Sequence, residues 1–371
     1  MTTGDGGARV IRLAEITDED ALKSIAGQAM PGKISFAFRY EPSFFKAVQV
    51  HGSAVRVLAS GKSDEVGGIA VVSTKDVYIN GEPAAVGYLC GLRIAPSCRN
   101  GLLLARGYRM IRNMQEKDLR LPLFLTAVMK ENVEAIKFLT SGRCELPTYS
   151  ELGLYRTCIF PVFRKRVRKK SPVDIRSGLD TGPGIIAECL KEYGRERQFF
   201  PCEVPTGSGR SQDEVYPGVG DFLVAFINDK PVGVVALWNQ QPFRQIVVSE
   251  YSPLMNTAGK ISRIISRLAG SPQLPTINDK LNTFYLSRIA VQNGDKKVFK
   301  CLLTEALNKC RTDGAGFLAA GFFNNDPFKG VADSFFHLTL SSIIYKVRWD
   351  DSSIDDIPLD GRVPYVELGS L

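Results

Sequence analysis

The sequence contains an internal repeat, and this repeat constrains the fold more than any other feature. The segment 124–132, FLTAVMKEN, has a counterpart at 317–325, FLAAGFFNN, with four identical positions. The tripeptide Arg-Ile-Ala precedes both copies, at 93–95 and at 288–290, in the same order and at nearly the same spacing. Two ordered matches of this kind indicate a tandem duplication, in which each half forms a similar unit.

The duplication predicts the domain organisation. We expect a disordered leader at 1–9, a first domain at 10–162 and a second domain at 173–371. The stretch between them, 163–172, is rich in Lys and Arg and ends in Ser-Pro, which is typical of a solvated linker. A chain of 371 residues is long enough for each of two domains to bury a core of its own.

Both halves show the same order of predicted elements. This order predicts an α+β fold in which each half forms a mixed, mostly antiparallel sheet flanked by helices. In the first half we expect a helical segment at Ser35–Val48 and a hairpin turn at Asn80-Gly81. A long strand, Ala84–Ala95, then precedes a helix at about 102–116. The second half adds one amphipathic helix, Thr257–Ala269, which we interpret as a surface helix.

Composition excludes several classes of protein. The sequence has no stretch of ~18 consecutive apolar residues, so we expect no transmembrane helix. The eight cysteines include no Cys-x-x-Cys pair, which favours free thiols in a reducing cytoplasm over disulfides. Only His51 and His337 are available, neither beside an acidic or cysteine cluster, so we expect no metal site and no His-based triad. The net charge of +8 is carried by the first half, which favours an anionic partner.

One segment of the first half has the pattern of an anion-binding site. A long strand ends at Pro96, and a short polar loop that contains Arg99 leads directly into an apolar helix. A helix N-terminus offers unpaired N–H groups and the positive end of its dipole, which suits a pyrophosphate. Gly91, inside the strand, predicts a β-bulge that turns a backbone N–H out of the ladder.

This segment resembles the acetyl-CoA loop of the GCN5-related N-acetyltransferase (GNAT) family. In that loop an aliphatic residue, a Pro and an Arg or Gln precede small residues, and Ile94, Pro96 and Arg99 occupy the first three positions here. The glycine falls one residue early, at Gly101, and Leu102 and Leu104 stand at the usual small positions. The resemblance implies two tandem GNAT-like domains and an enzyme that transfers an acyl group from acyl-CoA to a primary amine.

A second motif of the family, Asn-x-x-Ala followed by a tyrosine, is matched by Asn132 and Ala135, with Leu139 in place of the tyrosine. The second half lacks the Pro and Arg of the loop at 289–297, so we expect it to bind no CoA. The resemblance therefore implies that acetyl-CoA or another acyl-CoA binds in the first half. The residues that this implies for cofactor binding are Leu92, Arg93, Ile94, Arg99, Asn100, Gly101, Leu102, Leu103, Leu104, Asn132 and Ala135.

The resemblance implies direct attack of the amine on the thioester, and a base is needed because an ammonium cannot attack. By element position, Glu41 and Glu82 are the candidate bases, and Tyr88 or Tyr149 could act as the acid. A further candidate is the carboxylate at Leu371, because the N-myristoyltransferases, with two GNAT folds, use their C-terminal carboxylate. Aromatic residues in the predicted second helical segment could line an acceptor pocket or form core: Phe36, Phe38, Tyr40, Phe44 and Phe45.

Two other functions remain open at this point. The first is a non-catalytic module that binds acyl-CoA or a protein and has lost the chemistry, which Leu139 and the displaced glycine favour. The second is transfer from an aminoacyl-tRNA, as in the tandem-GNAT Fem-type ligases, which would use the positive first half. The acceptor expected from the leading hypothesis is a small amine or a peptide amine, without a membrane or nucleic-acid partner. The basic run at 164–170, RKRVRKK, contains no interleaved aromatic residue for base stacking.

Overall fold

A computed structural model describes residues 10–371, apart from 30–33, 62–65, 99–101, 144–145, 163–165, 167–170, 206–214 and 252–275. The elements of the first half are β1 (Ile11–Leu13), α1 (Glu19–Ala26), β2 (Ile34–Arg39), α2 (Phe44–Ala47), β3 (Arg56–Ser60), β4 (Gly68–Ile79), β5 (Glu82–Ile94), α3 (Leu102–Met114), β6 (Phe124–Met129), α4 (Val133–Leu139) and β7 (Thr148–Pro161).

The second half follows with β8 (Asp174–Ser177), α5 (Gly178–Thr181), α6 (Pro183–Gly194), β9 (Phe222–Ile227), β10 (Lys230–Asn239), β11 (Gln245–Tyr251), β12 (Lys280–Leu281), β13 (Thr283–Val291), α7 (Lys296–Thr312), β14 (Phe317–Phe323), α8 (Lys329–Ala332) and β15 (Leu338–Arg348). The expected helix Thr257–Ala269 lies outside the described residues. Within them, no helix is both long enough and apolar enough to span a membrane.

Twelve strands form one continuous mixed sheet through both halves of the chain. Their order is β1-β3-β4-β5-β6-β15-β7-β14-β13-β10-β9-β8. Neighbouring strands run antiparallel except β5 with β6 and β13 with β14, which are the strands joined by the crossover helices α3 and α7. The mixed, mostly antiparallel sheet with flanking helices confirms the expected α+β class.

The two halves exchange their last strands at the centre of this sheet. Strand β15 of the second half pairs with β6 of the first half, with Tyr345 opposite Thr126. Strand β7 of the first half pairs with β14 of the second, with Ala320 opposite Cys158. Strands β7 and β15 also pair with each other, so neither half contains a complete sheet of its own.

The predicted hairpin at Asn80-Gly81 is confirmed. Both residues have positive φ, 54° and 85°, as the type I′ turn between two twisted strands requires. The helix predicted at Ser35–Val48 is wrong in its first part, because Ile34–Arg39 is a strand. Its two aromatic residues, Phe36 and Phe38, recur with a period of two. The strand pairs with β11 of the second half in a separate three-stranded sheet. Only the later part is helical, in α2 and in the 3-10 turn Val48–His51.

The repeated segments occupy equivalent strands, β6 and β14, but the Arg-Ile-Ala copies do not align in space. Each of β5 and β13 contains a bulge, where two residues of the strand lie opposite one residue of its neighbour. Gly91 has a φ of +63° at the first bulge and Arg288 a φ of +51° at the second. The structural counterpart of Gly91 is therefore Arg288, two positions away from the match that the sequence suggests.

Candidate functional site

Strands β5 and β6 diverge shortly after they meet. Their parallel pairing consists of Gly87 with Phe124 and Tyr88 with Leu125, although β5 continues to Ile94. A Cβ on Gly87 would run into the Phe124 ring, so the glycine permits this close approach. Beyond the pair, within the part of the chain that the structure describes, no strand continues the ladder along this edge of β5. The divergence leaves a wedge between the two strands.

A β-bulge lies in this wedge, as the sequence predicted from Gly91. Between Ile69 and Val71 the register of β4 against β5 shifts by one residue, and Gly91 adopts the left-handed conformation there. Its neighbour Leu92 is 37% exposed although it is apolar. A bulge leaves backbone groups out of the regular ladder, so this stretch of β5 can offer an N–H to a ligand in the wedge.

The strand leads through a 3-10 turn, Pro96–Cys98, to the N-terminus of α3. Arg99, Asn100 and Gly101 lie outside the described residues, as does the side chain of Leu102, the first residue of α3. Leu103 is buried and Leu104 packs against the core cluster beneath the helix. Of the residues before the turn, Arg93 is half-buried, and its guanidinium donates to the carbonyl of Leu92 at 3.3 Å.

Asn132 and Ala135 form the start of α4, directly after β6. The Asn132 side-chain oxygen accepts from the N–H of Ala135 at 3.2 Å, which is the N-cap bond expected of an Asn at this position. Asn132 is exposed, while Ala135 packs against the same core cluster as Leu104. Leu139, at the position of the family's tyrosine, is buried in that cluster, so it offers no acidic hydroxyl group there.

The structure does not bring the two candidate glutamates together. Glu82 begins β5, so it lies nine residues and about 30 Å from Gly91 along the strand. Its carboxylate pairs with Arg195 at 3.0 Å on the surface. Glu41 is exposed and pairs with Lys23 at 3.1 Å, near the end of β2. Neither glutamate is adjacent to the bulge in sequence or in the sheet.

The two candidate tyrosines lie in different layers. Tyr88 is the last β5 residue paired before the wedge; it is buried, and burial raises its pKa well above the usual value. Tyr149 lies in β7, where its hydroxyl bonds that of Tyr108 beneath α3, and burial raises its pKa too. A phenol with a raised pKa holds its proton at neutral pH, so of the two only Tyr88 is a candidate acid beside the wedge.

A buried polar cluster beside Tyr88 was missed by the sequence reasoning. The Lys75 ammonium lies 4.0 Å from the centre of the Tyr88 ring and donates to the Ser370 hydroxyl at 2.9 Å. His51 Nδ1 lies 3.0 Å from the main-chain oxygen of Ser370, so this nitrogen is the donor. Burial lowers the pKa of Lys75 to about 8 and that of His51 to about 3. Nothing in the sequence near these residues indicates that they meet.

The C-terminal residues pack into the interior between the two halves. Arg244 donates to the carbonyl of Gly369 at 2.6 Å and to a carboxylate oxygen of Leu371 at 3.3 Å. Gln240 donates to the same Gly369 carbonyl at 2.7 Å. Leu371 itself packs against the apolar cluster that contains Tyr88, so this segment, 365–371, lines the side of the sheet opposite α3. Whether Leu371 supplies a base stays a prediction.

At the equivalent bulge of the second half, the backbone N–H groups already form hydrogen bonds with side chains of this chain. The N–H of Arg288 donates to Glu367 Oε2 at 3.0 Å, and the N–H of Ile289 donates to the Tyr365 hydroxyl at 3.3 Å. The Arg288 guanidinium pairs with Glu203 at 3.1 Å. The two halves therefore share a bulge of the same kind but differ in what its N–H groups bind.

A mixed sheet in which a bulged strand diverges from its parallel neighbour, with a crossover helix between them, is the GNAT fold, here present in both halves of the chain. This agrees with the fold that the sequence resemblance implied.

Comparison with known proteins supports the same fold. No family model and no curated protein matches the sequence of this chain. Among solved structures, N-myristoyltransferase of Saccharomyces cerevisiae with bound myristoyl-CoA has a TM-score of 0.59 at 10% identity, covering 98% of this chain and 90% of that chain. A GCN5-related N-acetyltransferase from Anabaena variabilis has a TM-score of 0.51 at 12% identity, covering 91% of this chain and 72% of that chain. At these identities the similarity establishes the fold.

Proposed function

We propose that this protein is an N-acyltransferase that binds acyl-CoA in its first half and transfers the acyl group to a primary amine. The observation that carries the proposal is the contrast between the two bulges. At Arg288 the bulge N–H groups donate to Glu367 and Tyr365, whereas the bulge at Gly91 opens into the wedge between β5 and β6. The solved N-myristoyltransferase, which is similar over nearly the whole chain, has bound myristoyl-CoA.

In this proposal the residues around the wedge have separate roles in binding the cofactor and in the reaction. The N-terminal turn of α3, with Arg99, holds the pyrophosphate through backbone N–H groups and charge. A backbone N–H at the Gly91 bulge donates to the thioester oxygen, where negative charge develops as the amine attacks. The new bond joins the amine nitrogen to the acyl carbon, and a proton passes from the amine to a base. The carbon–sulfur bond breaks, and CoA leaves as the thiolate. Asn132 fixes the start of α4 beside the wedge.

Acyl-CoA binding is the first test. Acetyl-CoA, myristoyl-CoA and free CoA are titrated by calorimetry into the wild type, Arg99→Glu and Arg106→Glu. Both substitutions reverse one charge near the start of α3, but Arg106 is exposed on the helix surface. We expect micromolar one-to-one binding that Arg99→Glu weakens at least tenfold and Arg106→Glu leaves within twofold. Equal affinity for the two variants would place the cofactor elsewhere, and no binding to the wild type would refute the proposal.

A non-catalytic acyl-CoA module is the second candidate function, and the burial of Leu139 favours it because the family's tyrosine is missing there. Release of free CoA thiol, measured with a panel of amines, separates the two. Turnover that depends on an amine supports the enzyme. Tight acyl-CoA binding without turnover for any amine or peptide in the panel would support the module.

A further inference from the structure

The wedge between β5 and β6 has a closed end at Leu89 and Thr126. The parallel pairing of the two strands stops at Tyr88 with Leu125. If the ladder continued, Leu89 would lie opposite Thr126, and its carbonyl would accept from a backbone N–H of β6. Instead, the Thr126 hydroxyl donates to the Leu89 carbonyl at 2.7 Å. A side-chain bond therefore takes the place of the next backbone bond at the point where the strands separate.

This bond determines where the wedge begins. Leu89 and Thr126 are both buried, and a buried carbonyl is costly to leave without a donor. The hydroxyl satisfies the Leu89 carbonyl without a further backbone contact between the strands, so β6 can turn away from β5 at this residue. Because the bond joins the two strands directly, it also prevents a ligand in the wedge from passing between them.

Buried side chains cover both faces of the sheet at this closed end. Leu89 belongs to the apolar cluster beneath α3, together with Phe124. On the opposite face, Tyr88 and Leu125 belong to a second apolar cluster. A cavity that these two residues help to line has a volume of about 40 Å³, which is room for about three waters and not for a long chain. The closed end is therefore bounded by the Thr126–Leu89 bond within the sheet and by packed side chains on both faces.

The position of the bulge sets how far an acyl group can extend. In the proposed function, the pyrophosphate binds at the start of α3 and the thioester oxygen accepts from an N–H at the Gly91 bulge. Because β5 leads to α3 through the 3-10 turn, the cofactor runs back along β5 to Gly91, and its acyl group continues toward Leu89. Leu89 lies two residues from Gly91, about 7 Å along the strand. An acetyl group fits within this distance, whereas a chain as long as myristoyl exceeds it.

We propose that this protein selects a short-chain acyl-CoA, such as acetyl-CoA, because the Thr126–Leu89 bond closes the wedge beyond the thioester. Thr126 is then the residue that determines the specificity for the acyl chain. The inference rests on the proposed function, from which it takes the position of the thioester. The solved N-myristoyltransferase has bound myristoyl-CoA, so the two proteins differ in the acyl chain that they accept although their folds are similar.

A comparison of two chain lengths tests the inference without an acceptor amine. Acetyl-CoA and octanoyl-CoA are titrated by calorimetry into the wild type. We expect acetyl-CoA to bind at least tenfold more tightly, because the longer chain cannot enter the closed end while its thioester lies at the bulge. Octanoyl-CoA that binds as tightly as acetyl-CoA would overturn the inference and leave the proposed function standing. No binding of either acyl-CoA would refute the proposed function and the inference with it.

Variants of Thr126 test whether its side chain sets the limit. Thr126→Ala removes the hydroxyl and the methyl group, and we expect the ratio of acetyl-CoA affinity to octanoyl-CoA affinity to fall at least fivefold. Thr126→Ser keeps the hydroxyl and should keep this ratio within twofold of the wild type.

Thr304→Ala is the matched control for Thr126→Ala. Both threonines are 8% exposed, and the Thr304 hydroxyl donates to the Lys300 carbonyl at 2.7 Å within α7. An unchanged ratio in Thr126→Ala, or an equal change in Thr304→Ala, would overturn the role of Thr126. The comparison of chain lengths in the wild type needs no variant, so it decides even if Thr126→Ala does not fold.

Discussion

Replacing Gly91 by Ala perturbs the bulge with the smallest change that the chain permits. Gly91 has a φ of +63°, a conformation that costs an L-residue about 1–2 kcal/mol. The added Cβ would also lie 3.2 Å from a Val71 methyl group. Because this contact is with the end of a side chain, we expect it to add less than about 1 kcal/mol. The total loss of unfolding free energy is then about 1–3 kcal/mol, measured by urea denaturation.

Gly314→Ala is the matched control for this variant. Gly314 has a φ of +76°, and a Cβ there would have nothing within 4 Å. It therefore loses only the conformational part, about 1–2 kcal/mol. The two variants should differ little in stability but strongly in acyl-CoA affinity, which we expect to fall at least tenfold for Gly91→Ala alone. Equal acyl-CoA affinity in both variants would refute the role we assign to the Gly91 bulge.

Three further predictions concern the interior. Burial lowers the pKa of His51 to about 3, so below pH 6.5 the folded state binds fewer protons than the unfolded state. The free energy of unfolding should therefore fall by about 2 kcal/mol between pH 7 and 5. His51→Asn should remove this part of the dependence of the urea midpoint on pH. Arg244→Ala removes one of the two donors to the Gly369 carbonyl and the donor to Leu371. Hydrogen exchange measured by mass spectrometry should then become faster at the C-terminal segment. Gly87→Ala forces a Cβ into the buried Phe124 ring, so the free energy of unfolding should fall by about 1–3 kcal/mol or more. Gly107→Ala is its control, because a Cβ there has open space around it. It should stabilise α3 by about 0.5–1 kcal/mol in thermal unfolding.

Much of the fold could be predicted from local patterns in the sequence. The hairpin at Asn80-Gly81 depends on two residues that tolerate positive φ, and the structure has them there. The strand β13 reads as a mostly apolar run, interrupted by Ser287 and Arg288, and it is buried along its whole length. Strand β2 was mistaken for a helix because its aromatic residues fit both periods over so short a stretch. Its pairing partner, β11, lies far away in sequence and could not be inferred from local residues.

The candidate site could be predicted only where a residue type reveals a backbone conformation. Gly91 indicates its bulge because glycine adopts positive φ without strain. Arg288 adopts the same conformation without being a glycine, so the sequence gives no sign of the second bulge, and the Arg-Ile-Ala match misaligned the halves. Glu367 and Lys75 are polar residues that a sequence places at the surface by default. Their burial depends on contacts between the halves.

The exchange of the last strands has a consequence for how the chain is made. Strand β6 cannot complete its pairing until β15 has been synthesised, about 200 residues later. At ordinary rates of synthesis this takes on the order of 10–40 s. During this delay the edge of β6 exposes unpaired backbone groups next to an apolar face, which is the kind of edge on which chains aggregate. A nascent chain of this protein is therefore most vulnerable late in translation, and slow codons after β7 would prolong its dependence on chaperones.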